Sequence, residues 1–288
     1  MIDVPFCLAC AEAPLLLVQA RVNDEGQHGF VIDTGNGAPA ALLVAPALVR
    51  DLSMPMATAP VEVNALTRAT LHSFELGTYR LQHVEAAVLP AIDQINERLG
   101  STIAGNLGHA FLKDWRVRID YRNHRLQLAQ ESAASTIGCA SFETGPGGAF
   151  ILLPAQVNGR GPYRFLLDTG ASSSAISPQL AGDLGIIGQP VEALGVMGSA
   201  TARLAMLDSL DVAGHTQQDI EIAIIDIFGY TSNAAGAAVA GIIQSSRSTV
   251  PNTKYLLPGI SGCMAARAFV IRFSISNCFA MTKSQYGQ

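Results

Sequence analysis

Two short runs constrain this chain more than anything else in it: Phe30-Val31-Ile32-Asp33-Thr34-Gly35 and Phe165-Leu166-Leu167-Asp168-Thr169-Gly170. Each is an apolar run of the kind that forms a strand buried on both faces, and each ends on a carboxylate. An acid at the edge of a core costs free energy unless hydrogen bonds or partners compensate it. One such run reads as an Asx-type turn. Two in one chain ask for a joint explanation.

The runs belong to a longer repeat. At an offset of 135 residues, Val22-Asn23 falls on Val157-Asn158, Gly26 on Gly161 and Asp-Thr-Gly on Asp-Thr-Gly, with no gap. Upstream, Leu15 to Val18 falls on Phe150 to Leu153; downstream, Leu42-Leu43-Val44 has a rough counterpart in Ile176. Each copy reads strand, tight polar turn, strand, Asp-Thr-Gly loop. That unit is the size of a lobe and too long for a solenoid repeat. Two paired copies imply a pseudo-two-fold axis. With the loops on that axis, Asp33 and Asp168 face each other, hold one proton in common and titrate as a pair. One is then a base and the other an acid around a single water, an arrangement suited to amide hydrolysis with no metal, cofactor or covalent intermediate.

At this point the chain resembles the aspartic proteases, in particular the bacterial retropepsin-like aspartyl proteases. The residues that carry the likeness are Asp33-Thr34-Gly35, Asp168-Thr169-Gly170-Ala171-Ser172 and the approach Val157 to Phe165. A third stretch, Gly105-Asn106-Leu107-Gly108-His109-Ala110-Phe111-Leu112 followed by Trp115 to Tyr121, is similar to the apolar-apolar-Gly segment that lies beneath the catalytic loop. The likeness spans roughly 5–245 and implies a mainly β, two-lobed acid-protease-like fold of pseudo-two-fold symmetry with the cleft between the lobes. It implies Asp33 and Asp168 as the catalytic pair, with Thr34, Gly35, Thr169 and Gly170 supporting the loops. It also implies substrate contacts from Asn36, Ala171, Ser172, Leu66, Met197 and Gly198. Asn36 stands where Ala or Ser is usual and is placed to bond the Asp33 carboxylate. The substrate implied is a peptide or protein, and the expected form is a two-lobed monomer. Relatives are often exported; the start of this chain shows no basic leader region.

Composition excludes little but agrees. A content of 49% hydrophobic and 14% charged residues leaves ample core material. A net charge of -5 without a basic run argues against nucleic acid. No apolar stretch is long enough for a membrane helix. The five cysteines are an odd, scattered set; Cys7-Leu8-Ala9-Cys10 has redox or zinc-like spacing but no second pair. The six histidines show no metal spacing.

In chain order, a first lobe is expected over 4–130, a Gly- and Ser-rich linker over 131–148, a second lobe over 149–245 and an atypical tail over 246–288. Short helices are expected at Pro46–Leu52, Ile92–Leu99 and Pro178–Leu184, the first and last with Pro near their starts. Val61–Glu75 reads as a hairpin with its tip at Asn64–Thr67, the place of a flap in the resembled family. Gly77–Leu89 reads as a further strand pair, Trp115–Leu128 as a hairpin, and Gly195–Ser199 as the tip of a second-lobe hairpin. Tyr79 reads as a core residue rather than a flap tyrosine. In the second lobe Val239 to Ile243 begins like the apolar-apolar-Gly segment, but Gln244 replaces its Gly, so weak support for the second loop is expected. Two other readings follow from the same residues: a peptide-binding module without turnover, and a glycosidase using paired carboxylates. The second does not call for Thr-Gly after both acids.

Overall fold

In the computed structural model, the residues described are 1–9, 14–57, 67–130, 141–195, 198–212, 214–244, 260–265, 268–275, 277–280 and 282–283. The first lobe begins with β1 (Ile2–Leu8), β2 (Leu16–Val22), β3 (Glu25–Ile32), β4 (Leu42–Val44) and α1 (Pro46–Asp51). It continues with β5 (Arg68–Leu76), β6 (Tyr79–Val88), α2 (Ala91–Leu99), β7 (Ile103–Leu107), α3 (His109–Leu112), β8 (Arg116–Asp120) and β9 (Arg125–Ala129). The second lobe holds β10 (Ser141–Thr144), β11 (Ile151–Val157), β12 (Arg160–Asp168), β13 (Ala175–Ile176) and α4 (Pro178–Leu184). Then come β14 (Gln189–Gly195), β15 (Gly198–Val212), β16 (His215–Ile225), α5 (Phe228–Ala235) and β17 (Gly241–Gln244). Four further strands, β18 (Ile260–Ala265), β19 (Ala268–Ile275), β20 (Asn277–Ala280) and β21 (Thr282–Lys283), follow.

The duplication read from the sequence is a duplication of topology. In the first lobe β2, β3, β7, β4, β6 and β5 are neighbours in that order, and β5 pairs back to β2. In the second, β11, β12, β17, β13, β16 and β15 repeat the order, and β15 pairs back to β11. Each ring therefore closes as a six-stranded barrel, which leaves no free edge within the ring. Directions repeat as well. β3 runs parallel to β7 and β12 parallel to β17, while β4 and β13 are antiparallel to those same partners. The fold is mainly β and two-lobed, of the acid-protease type.

The local chemistry explains the elements. β2 and β11 alternate buried and exposed residues where they leave the core. β3 and β12 end in unbroken buried runs because both faces are covered. Phe30 and Phe165, both fully buried, lie over Gly105 and Gly241, where any Cβ would collide with the ring. One apolar cluster threads both lobes. A smaller one, with Leu152, Leu166, Phe228 and Ile242, sits in the second lobe alone. α4 starts at Pro178 and is capped by Ser177, whose Oγ accepts from the Leu180 N–H at 3.1 Å.

Three expectations need correction. The Val61–Glu75 and Gly77–Leu89 segments do not form separate strand pairs: β5 pairs with β6 along Arg68 to Val88, turning at Gly77-Thr78. Met56 bridges Ala69, and the expected tip at 64–67 falls largely on residues 58–66, which with Leu66 lie outside the described residues. α5 was not anticipated; it follows β16 as α2 follows β6. The second loop does have a floor, since β17 pairs with β12 from Phe165↔Gly241 to Asp168↔Gln244 despite the glutamine.

Candidate active site

Asp33 follows the last residue of β3, and Asp168 is the last residue of β12. Strand and parallel neighbour deliver each loop to the seam between lobes. There the two threonines clasp reciprocally. The Thr34 N–H donates to Thr169 Oγ1 at 3.0 Å, and the Thr169 N–H donates to Thr34 Oγ1 at 3.1 Å. Each hydroxyl then donates onward across the seam, Thr34 Oγ1 to the Leu167 carbonyl at 2.8 Å and Thr169 Oγ1 to the Ile32 carbonyl at 2.6 Å. Both threonines are buried, so this use of donor and acceptor is what makes their burial affordable.

The glycines bring the acids together. A Cβ on Gly35 would overlap the Asp168 carboxyl, and one on Gly170 would overlap that of Asp33. Each loop's glycine thus lies flat against the other loop's acid, a close approach that only a missing side chain permits. The same glycines serve their own loops: the Gly35 N–H donates to Asp33 Oδ1 at 2.9 Å and the Gly170 N–H to Asp168 Oδ1 at 2.7 Å. The two carboxyls are hydrogen-bonded to each other. Both are half-buried in solvent exposure yet deeply enclosed by protein.

Burial raises the pKa of both acids, because it disfavours the charged form. On Asp33 this is opposed by hydrogen bonds, first from the Asn106 amide, so its rise is smaller. Asp168 is raised well above the usual carboxylate range, by burial and then by the negative charge of Asp33 facing it. The pair holds a single proton in common over the interval between its two ionisations.

Asn36 reaches the Asp33 carboxylate with its backbone N–H and not with its side chain. Its side chain donates to Asn106 Oδ1 at 2.8 Å and accepts from the Ala38 N–H at 2.9 Å, so it faces the interior. Ala171 is half-buried and Ser172 exposed at the exit of the second loop. Gly198 opens β15 opposite Gly195; Met197 lies outside the described residues. Asn106 is the site residue that sequence reading passed over. Its signal was present: a polar amide inside β7, all five of whose residues are buried. No group of three or more metal-ligating side chains occurs among the described residues.

A double barrel whose two Asp-Thr-Gly loops clasp at the seam is the arrangement that the resemblance to aspartic proteases implies. Residues 153–245 match the model of the family described as aspartyl protease. Among solved structures, the chain is similar to a retropepsin-like aspartic protease from Rickettsia conorii, with 20% identity over 44% of this chain and 87% of that one, at a TM-score of 0.30. It is also similar to the aspartic proteinase from Irpex lacteus, with 12% identity over 98% of this chain and 97% of that one, at a TM-score of 0.42. No curated protein matches the chain.

Proposed function

We propose that the protein is an aspartic endopeptidase that hydrolyses peptide bonds through a water activated by the Asp33/Asp168 pair. The observation that carries this reading is the reciprocal clasp of Thr34 and Thr169, which seats two carboxyls in hydrogen-bonding contact. A carboxylate and a carboxylic acid side by side can take a proton from water and give one to the scissile carbonyl oxygen within the same site. Attack yields a neutral gem-diol. The newly protonated acid then gives its proton to the leaving nitrogen while the other, now ionised, takes one from a gem-diol hydroxyl, so that the C–N bond breaks, the carboxylic acid and amine products leave, and the singly protonated pair is restored. The spent acid and base exchange roles without any outside proton donor.

Substrate lies extended beside the hairpins, pairing its backbone with exposed strand edges and placing apolar side chains beside the cut bond. Ala171, Ser172, Gly198, Leu66 and Met197 are the proposed contacts. Asn36 moves from that set to the support of the first loop, because its side chain is committed inward. Among the described residues no helix is long and apolar enough to cross a membrane. The chain is proposed to act as a monomer, since both acids come from one polypeptide.

The test uses the full chain and unfolded casein as substrate across acidic to neutral pH, with peptides read by mass spectrometry. Cleavage by the parent chain that is lost in both Asp33→Asn and Asp168→Asn, and blocked by a statine-containing peptide, supports the reading. Undiminished turnover in either variant, or a parent chain that binds peptides without cutting them, overturns it.

A further inference from the structure

Beside the acids the two lobes differ at a position inside the strand that runs parallel to each acid-bearing strand. In β7 the register pairs Val31 with Asn106; in β17 the matching pair is Leu166 with Ile242. The first lobe thus has an amide where the second has a hydrocarbon. Asn106 is buried, and its Nδ2 donates to Asp33 Oδ2. Ile242 is buried in the apolar cluster of the second lobe. Both acids receive two backbone amides, Asp33 from Gly35 and Asn36 and Asp168 from Gly170 and Ala171, and Asp33 alone has the Asn106 side-chain donor in addition. The Gln244 N–H, at the end of β17, goes to Ser174 Oγ at 3.1 Å instead.

The direction of the Asn106 amide is fixed by a chain of bonds that ends on the backbone. The Ala38 N–H can only donate, so the atom of Asn36 that meets it at 2.9 Å is the oxygen. The other end of Asn36 is therefore its NH2 group, which donates to Asn106 Oδ1 at 2.8 Å. That leaves the NH2 of Asn106 turned to Asp33. Gly108 makes room, because a Cβ there would collide with the Asn36 amide, and the His109 N–H holds the Asn36 carbonyl at 2.8 Å. An NH2 group offers hydrogens only, so it favours a carboxylate at Asp33 over a carboxyl whose proton sits on the facing oxygen.

We propose that Asn106 is a positioning residue that fixes Asp33 as the ionised member of the pair and leaves the proton on Asp168. This rests on the hydrolytic reading: within it, Asp33 is the base that activates water and Asp168 the acid that protonates the carbonyl. Glu25 and His28 sit toward the far start of β3, and Arg160 and Arg164 lie on β12, where Arg164 pairs with Glu143 at 2.8 Å. β4, β7, β13 and β17 carry no charged residue, and α3 contributes His109.

The experiment labels the aspartate carboxyl carbons of the full chain with carbon-13 and titrates them by NMR, with Asp33→Asn and Asp168→Asn identifying the two signals. In the parent chain Asp33 ionises first. In Asn106→Leu, which copies the hydrocarbon of the other lobe, its ionisation moves up by about one pH unit, the worth of one charge-assisted hydrogen bond. The acidic limb of kcat/KM on casein moves up with it. Asn36→Ala, which leaves Asn106 in place but frees its amide, shifts both in the same direction by less, and covers the case in which Asn106→Leu does not fold. Asp33 ionising after Asp168 in the parent chain, or an unmoved Asp33 in the folded variants, overturns the inference. If the parent chain cleaves and only the acidic limb fails to move, the inference falls and the protease reading stands. If it cleaves nothing while the carbons titrate as described, the protease reading falls and the charge assignment stands.

Discussion

Thr34 and Thr169 each accept the other's backbone N–H, at 3.1 and 3.0 Å, and each gives its own hydrogen to a carbonyl of the opposite lobe. Four bonds therefore cross the seam through two side chains, directly beneath the acids. Replacing either by Val keeps the shape, removes the hydroxyl and strands a buried N–H and a buried carbonyl. Thr169→Val is expected to lower stability by about 1–3 kcal/mol in urea unfolding, and Thr169→Ser by less because it keeps the hydroxyl. A Val variant as stable as the parent would show that the clasp does not hold the lobes together.

The glycines between those threonines and the acids are expected to tolerate nothing larger. With a methyl at Gly170, carboxyl oxygens of Asp33 would lie 2.5 and 2.7 Å from it, so the acid must move. Displacing a reacting group by about an ångström costs on the order of a hundredfold in rate. Gly170→Ala and Gly35→Ala should each lose casein turnover by about that factor or more. Full activity in Gly170→Ala would mean that the acids are not packed as described.

Much of this site could be read from the chain because it is local. The Asp-Thr-Gly loops, the Asn23-Asp24 and Asn158-Gly159 turns and the Pro-initiated helices are all decided within a few residues. The Asn106 contact could not be read that way, since it joins positions 73 residues apart and replaces an apolar residue in a segment recognised by apolarity. α5 escapes a sequence reading because Phe228 to Ala235 is made largely of small residues with no clear apolar stripe; its place after the fifth barrel strand is the better clue. The hairpin of β5 and β6 was placed one strand early. Gly77-Thr78 makes the tight turn, yet the looser polar stretch before it looked more like a tip. Local chemistry set the turns, and long-range pairing chose which of them joined neighbouring strands.

Stability and catalysis should pull in opposite directions at Asp168. A folded carboxyl raised above its unfolded value holds its proton to higher pH than the unfolded chain does. Its contribution is therefore whole below the ordinary carboxylate pKa and is lost as pH rises through the folded value. The loss runs at up to about 1.4 kcal/mol per pH unit for one proton. Asp168→Asn cannot ionise and escapes it. The variant is expected to unfold at a higher temperature than the parent at neutral pH, with the difference closing near pH 3, while cleaving nothing. Equal pH dependence in the two chains, followed by calorimetry, would contradict the raised ionisation.

Tyr79 separates packing from catalysis. It opens β6, and its ring meets Trp115 edge-on at 4.9 Å and Phe111 at 6.3 Å between centroids. Phe111 in turn meets Phe74, which meets Phe30, so the aromatic chain runs from the lobe's outer strands to the strand that carries Asp33. Edge-to-face pairs of this kind add about 0.5–1.5 kcal/mol each beyond the area they bury. Removing the ring in Tyr79→Ala should cost about 2–4 kcal/mol of stability. Tyr79→Phe keeps both ring contacts and should leave kcat/KM on casein unchanged. A hydroxyl that closed over substrate would behave otherwise: Tyr79→Phe would then lose turnover while unfolding like the parent.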